Sequence, residues 1–149
     1  MLIDGKIVIL IEHQSTINKN MPFRFLEYIA RIYEKITTKD EKFGRKLVKL
    51  PIPEFYVFYN GPKDFSVEFT LKLSDAFLLP ENNYNIPNDF YLEIIVKVFN
   101  INVEKGQPIL QQCKPLQEYS DFVHLVRTYI NEGKEIPLTE AVKKAVLVL

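Results

Sequence analysis

Residues 6–36 of the chain read KIVILIEHQSTINKNMPFRFLEYIARIYEKI, and this stretch decides the fold. Its first part, 6–12, is rich in β-branched residues and apolar on both alternating faces, which is typical of a strand covered on both sides in a parallel or mixed sheet. A polar loop follows. Asn20 as an N-cap and Pro22 in the first turn then predict the start of a helix. The apolar pattern predicts a heavily buried crossover helix over 21–36.

The rest of the chain supplies partners for this unit. A second strand is predicted over 54–59, and the order strand, helix, strand implies a right-handed βαβ unit. A third strand is predicted over 91–101, after an ambiguous short element at 71–77. Two helices are predicted over 116–131 and 138–148. We therefore expect a single α/β domain with a mixed sheet flanked by helices and a helical C-terminal part.

Composition excludes several classes of protein. The 149 residues are 47% hydrophobic and 26% charged, which provides a core for one domain and excludes disorder. The longest apolar run, 7–11, is too short to cross a membrane and no signal peptide is recognisable, so a cytoplasmic protein without a membrane partner is expected. The single cysteine, Cys113, excludes an internal disulfide and a zinc site. No phosphate loop, dinucleotide fingerprint or Ser-His-Asp series indicates a nucleotide cofactor or small-molecule chemistry.

Charge is distributed unevenly although the net charge is zero. Residues 1–60 carry ten Lys or Arg against seven Asp or Glu. Positive charge is concentrated in a basic stretch, residues 35–49, where six cations outnumber Asp40 and Glu41 by four; these are Lys35, Lys39, Lys42, Arg45, Lys46 and Lys49. The basic stretch is a candidate DNA-binding surface, and a solvated surface loop is the ordinary alternative.

A group of polar residues, Glu12, His13 and Gln14, ends the first predicted strand. A carboxylate there is costly to bury unless it is paired or bound to a metal. In open α/β sheets ligands gather beyond the carboxyl ends of the strands, and Mg²⁺ prefers oxygen ligands. The residues alone leave two alternatives equally open, a metal site at Glu12 or a salt bridge from Glu12 to Arg24 or Arg31.

The neighbours of Glu12 also have two interpretations each. His13 faces the opposite side of the strand, so we expect its ring to be packed or hydrogen-bonded rather than to be a ligand. Arg24 and Tyr28 are four residues apart and share one face of the predicted helix. They either hold a phosphate or a nucleotide, or they fix the turn between strand and helix.

The run ILIEHQSTINKNMPFRFLEYIARIYEK at 9–35 resembles the signature of the recombination-promoting nuclease (Rpn) family, also described as PD-(D/E)XK nuclease family transposases. The likeness continues through 50–61, 71–75, 97–102 and 116–120, and so covers most of the chain. It implies a restriction-endonuclease-like core that binds Mg²⁺ or Mn²⁺ and acts as a DNA endonuclease, hydrolysing phosphodiesters. It also implies a link to DNA recombination or mobile elements.

The resemblance assigns roles residue by residue. Glu12 matches the acidic residue of the (D/E)-x-K half of the motif, and Gln14 stands where a lysine usually stands. The metal would be held by Glu12 and the backbone carbonyl of His13, while neutral Gln14 would orient the attacking water or a phosphate oxygen. Arg24 and Tyr28 occupy the place of a helix motif that supports the site in related nucleases.

The chain also departs from the family pattern. The family has a second metal-binding aspartate on the strand before the Glu-bearing one, and Asp4, roughly 26 Å from Glu12 in an extended segment, is a poor substitute. The apolar ending at Leu149 suggests that a C-terminal helical region is cut. We therefore expect a truncated nuclease-transposase. The alternative is a catalytically inactive remnant that acts as a DNA-binding or oligomerisation module, for example as a homodimer.

Overall fold

The computed structural model describes residues 2–3, 5–79, 90–132 and 136–148. Its strands are β1 (Leu2–Ile3), β2 (Ile7–Gln14), β3 (Ile52–Tyr59), β4 (Glu68–Lys72) and β5 (Ile95–Asn100). Its helices are α1 (Met21–Ile36), α2 (Lys39–Phe43), α3 (Pro108–Gln112), α4 (Lys114–Glu132) and α5 (Leu138–Val146). The strands form one five-stranded sheet in the order β1-β2-β3-β5-β4.

The centre of the sheet is parallel and its margins are antiparallel. β2 pairs with β3 in parallel over its whole length, from Ile7 opposite Ile52 to Gln14 opposite Tyr59. β5 continues the parallel ladder on the other side of β3, whereas β1 and β4 pair antiparallel to their neighbours. Helix α1 connects β2 to β3. The predicted mixed α/β sheet with flanking helices is therefore confirmed, and it is compatible with a restriction-endonuclease-like core.

Helix α1 covers one face of the sheet and has the bounds that the sequence predicts. Its buried residues Phe25 and Ile29 pack in the main core, together with Val8, Val57 and other alternate residues of the strands. Asn20 is the N-cap residue of α1, as predicted, but its side chain makes no capping hydrogen bond. At the start of α1 the Met21 amide donates instead to the Asn18 carbonyl of the preceding loop, at 3.2 Å.

The other face of the sheet is covered only in part. The side chains of Ile11, Ile52 and Ile95 are 53%, 65% and 51% exposed. Helix α4 reaches this face near the end of β2, where Tyr119 contacts His13 edge to face with ring centroids 5.1 Å apart. The expectation that the first strand is covered on both sides was therefore wrong at Ile11.

Strand β3 begins earlier than predicted and includes Pro53. The Ile52 amide donates to the Lys6 carbonyl at 2.7 Å, so the nitrogen of the next residue faces away from β2. On that side β5 pairs only from Tyr56 onward. Pro53 therefore costs the ladder no hydrogen bond, although proline usually argues against a central strand.

The other differences concern short elements. The third strand, β5, is shorter than predicted, because Tyr91 and Leu92 lie exposed before it. The ambiguous segment 71–77 divides into the end of β4 and a 3₁₀ turn. Helices α2 and α3 were not predicted.

The C-terminal helices α4 and α5 form a second small core around Val126, Ala141 and Ala145. The hydroxyl of Ser120 donates to the Ile101 carbonyl and joins α4 to the sheet. In the part of the chain that the structure describes, no helix has both the length and the apolarity needed to cross a bilayer.

Two phenylalanines on α1 provide a matched test of this packing. We expect Phe25→Ala to lower the free energy of unfolding by about 3–5 kcal/mol, because Phe25 is 1% exposed and its loss leaves a cavity. Phe23→Ala is the control, and since Phe23 is 64% exposed its cost should stay within about 0.5 kcal/mol. Urea denaturation followed by circular dichroism measures both, and equal effects would contradict this placement of α1.

Candidate functional site

The carboxyl ends of the three parallel strands meet at one edge of the sheet, called here the strand-end edge. Hydrogen bonds continue beyond the strands themselves, since the Asn60 amide donates to the Gln14 carbonyl at 2.9 Å. The Ile101 amide donates likewise to the Tyr59 carbonyl at 2.8 Å. The strand-end edge therefore comprises residues 12–14, 59–61 and 100–102, and it is where open α/β sheets bind ligands.

Three predicted site residues lie together at this edge. Arg24 Nη2 is 2.8 Å from Glu12 Oε1, so the two side chains form a salt bridge between β2 and α1. The same guanidinium donates to the Tyr28 hydroxyl at 2.8 and 3.3 Å. The hydrogen bond to Tyr28 raises the pKa of Arg24 above its ordinary value, and the Glu12 carboxylate contributes to this rise.

The salt bridge is one of the two alternatives that the sequence left open, and the partner is Arg24. Arg31 pairs instead with Glu27 on its own helix. The Glu12 side chain remains 26% exposed, and among the described residues no hydrogen bond reaches its second oxygen, Oε2.

The described part of this site offers a metal ion one carboxylate, that of Glu12. Within residues 5–79, 90–132 and 136–148, no group of three or more His, Cys, Asp or Glu side chains is placed to hold an ion. Mg²⁺, however, often binds through one or two carboxylates and completes its shell with water and substrate phosphate. Glu12 Oε2 fits the role of that single carboxylate ligand. Asp4, considered above as a second carboxylate, lies outside the described residues.

The two residues after Glu12 point to opposite faces of the sheet. Gln14 Oε1 accepts a hydrogen bond from the Asn18 amide at 3.1 Å, so this side chain holds the loop that leads into α1. The His13 ring lies on the other face against Tyr119, and partial burial lowers its pKa. The ring of His13 is therefore directed away from Glu12.

The structure does not bring the basic stretch to Glu12. The far end of α1 lies where the parallel strands begin, because the Tyr33 hydroxyl donates to the Pro51 carbonyl at 2.7 Å, just before β3. Lys35 is eleven residues after Arg24 and so about 16 Å further along the helix axis. Lys42, Arg45 and Lys46 line a separate cavity of about 790 Å³ at that end.

A cluster of amides at the strand-end edge was missed by the sequence analysis. Arg127 of α4 donates from Nη1 to the side-chain oxygens of Asn60 and Asn102, at 3.0 and 2.9 Å. It also donates from Nη2 to the Asn60 carbonyl at 2.5 Å. Asn102 Nδ2 in turn donates to the Gly61 carbonyl and to Asn100 Oδ1. The three asparagines are at most 5% exposed.

This cluster is packed against the loop that follows β2. A Cβ atom on Gly61 would lie 2.0 Å from the Ser15 carbonyl oxygen, so only glycine allows the two segments to approach this closely. A sequence signal for the asparagines existed, since Asn60 and Asn100 end apolar strands as Glu12 does. No local signal indicated that Arg127, far along the chain, would join them.

Comparison with known proteins identifies a family to which the chain is similar. The family model described as "Putative transposase, YhgA-like" matches residues 3–133. No curated protein and no solved structure matches the chain.

The amide cluster makes Arg127 important for stability. We expect Arg127→Met to lower the free energy of unfolding by about 2 kcal/mol or more, because three buried oxygens lose a charged donor. Arg31→Met is the matched control, and since its ion pair with Glu27 is exposed its cost should be at most about 0.5 kcal/mol. Chemical denaturation measures the free energy of unfolding of both variants. An Arg127→Met variant as stable as the parent would contradict the observed hydrogen bonds.

Proposed function

The chain belongs to the family of YhgA-like putative transposases, and from this membership and the geometry around Glu12 we propose that it is a metal-dependent DNA endonuclease. The membership links the chain to transposases and mobile elements and agrees with the resemblance to the Rpn family. The observation that supports nuclease chemistry is the position of Glu12. At the edge where the parallel strands end, one oxygen of the Glu12 carboxylate is bound to Arg24, and the other has no hydrogen-bond partner among the described residues.

Each side chain has a distinct part in this proposal. Glu12, with the carbonyl of His13, would hold Mg²⁺ or Mn²⁺. When bound, such an ion would polarise the phosphoryl group as a Lewis acid and make a nearby water molecule more acidic. Arg24, oriented by Tyr28, stabilises the negative charge that grows on the phosphate in the transition state.

Gln14 has a positioning part. Its neutral amide accepts no proton at ordinary pH, so it does not act as a general base. Its oxygen is bound to the Asn18 amide, which fixes the direction of its Nε2 group. That group orients the attacking water or a phosphate oxygen.

A second candidate function is a non-catalytic DNA-binding or oligomerisation module that keeps the fold. The observation in its favour is that Glu12 is already neutralised by Arg24, without a third charged partner in the described part of the site. A carboxylate satisfied in this way needs no metal to compensate it. The two candidates differ in whether DNA strands are cut.

Nicking of supercoiled plasmid in the presence of Mg²⁺ or Mn²⁺ tests the first candidate. We expect Glu12→Ala to reduce the nicking rate on the order of a hundredfold or more, since the metal loses its carboxylate. Glu27→Ala is the matched control, because Glu27 is also a glutamate paired with an arginine of α1 but is 55% exposed and outside the site. It should nick at the rate of the parent.

Equal rates for the parent and Glu12→Ala would remove Glu12 from the mechanism. If the parent nicks no DNA with either ion but still binds duplex DNA in a salt-dependent manner, the second candidate is correct and the first is wrong.

A further inference from the structure

A polar cavity lies at the strand-end edge, on the side of the sheet that α4 covers. It has a volume of about 470 Å³ and lies between the segments that follow β3 and β5 and the middle of α4. Gly61 and Asn102 form its floor at the strand ends, and Arg127 enters from the helix. It is distinct from the Glu12 site, because neither Glu12 nor Arg24 lines it.

The charges around this strand-end cavity are not balanced. Of its two carboxylates, Asp64 pairs with Lys105, whereas Glu104 Oε2 lies 3.8 Å from His124 Nδ1, a ring that carries a charge only when protonated. Arg127 and Lys63 also line the cavity. Neither has a carboxylate within ion-pair distance among residues 5–79, 90–132 and 136–148. Together with Lys105 they give the lining three cations against two carboxylates, an excess of one positive charge.

The guanidinium of Arg127 is also fixed before any ligand arrives. Three of its five N–H donors are bound to the oxygens of Asn60 and Asn102, which leaves Nε and one hydrogen of Nη2 for another acceptor. Asn60 Nδ2, in the same amide cluster, is also buried without a hydrogen-bond partner in the described structure, although Asn60 does not line the cavity. Donors and positive charge are thus in excess, and an anion with several acceptor oxygens would satisfy both.

We propose that the strand-end cavity binds a phosphate group of the DNA backbone through Arg127 and Lys63. A phosphate fits because the planar array of N–H donors of a guanidinium with a fixed orientation matches the arrangement of phosphate oxygens. Thr128 and Asn131 add neutral donors at the wall of the cavity. The assignment of this phosphate to DNA rests on the proposed function. The site lies at the same edge as Glu12, so DNA follows the strand-end edge rather than the basic stretch at the opposite end of α1.

DNA binding measured by fluorescence anisotropy tests the proposal. A fluorescein-labelled duplex is titrated in increasing NaCl without divalent ions. Lys63→Ala removes an exposed cation that has no ion-pair partner in the described structure, so the fold is retained. We expect about a threefold to tenfold weaker affinity and a salt slope smaller by about one.

Two further variants make this measurement specific. Lys72→Ala is the control, since Lys72 is an exposed lysine opposite Ile95, at the end of the sheet where β5 begins. It should bind DNA like the parent. Lys46→Ala probes the basic stretch. If Lys46→Ala weakens binding while Lys63→Ala does not, the strand-end cavity is not the DNA contact and the proposal is overturned, although the endonuclease proposal stands.

Titration with inorganic phosphate separates the site from the source of the ligand. The Nε–Hε NMR signal of Arg127, assigned by its loss in Arg127→Lys, should shift and saturate in the parent, and Lys63→Ala should weaken this binding. A shift with phosphate in a protein that binds no DNA supports the anion site but overturns DNA as its source, together with the proposed function. Absence of any shift, with DNA binding unaffected by Lys63→Ala, overturns the site alone.

Discussion

The parallel pairing of β2 with β3, and of β3 with β5, is the constraint on which the rest of the structure depends. It ends three strands at one edge and places a polar residue at each end. Because α1 connects two of these strands, its first turn lies at this edge and its last turn at the opposite one. The same connection that brings Arg24 to Glu12 therefore separates the basic stretch from both.

Polar groups at the ends of buried strands need partners, and two arginines supply them. On the face that α1 covers, Arg24 pairs with Glu12 and is held by Tyr28. On the other face, Arg127 holds Asn60 and Asn102. Each guanidinium is oriented by its protein contacts, which reduces the reorganisation needed when a phosphate binds. The strand-end edge thus presents two fixed guanidinium groups, of which Arg24 is paired with Glu12 and Arg127 has no carboxylate partner among the described residues.

The sequence predicted the parts of the fold that follow from local periodicity. The bounds of α1 and the βαβ order come from apolar runs and proline positions that act over a few residues. Pro53 is accommodated in β3 because β5 pairs with β3 only from Tyr56 onward, and no local sequence pattern predicts where that pairing begins. For Glu12 the sequence left open a metal ion or a salt bridge to Arg24 or Arg31, and the choice between the two arginines depended on tertiary packing. Arg127 was missed because its partners, Asn60 and Asn102, are 67 and 25 residues away in sequence.

The central claim is that Glu12 holds a divalent ion at the strand-end edge, and the most direct measurement locates that ion. Substoichiometric Mn²⁺ added to ¹⁵N-labelled protein broadens the amide signals of residues near the bound ion. The account predicts selective broadening around Glu12, His13 and Arg24 that disappears in Glu12→Gln. Broadening that is absent, that is centred elsewhere, or that persists unchanged in Glu12→Gln would contradict it.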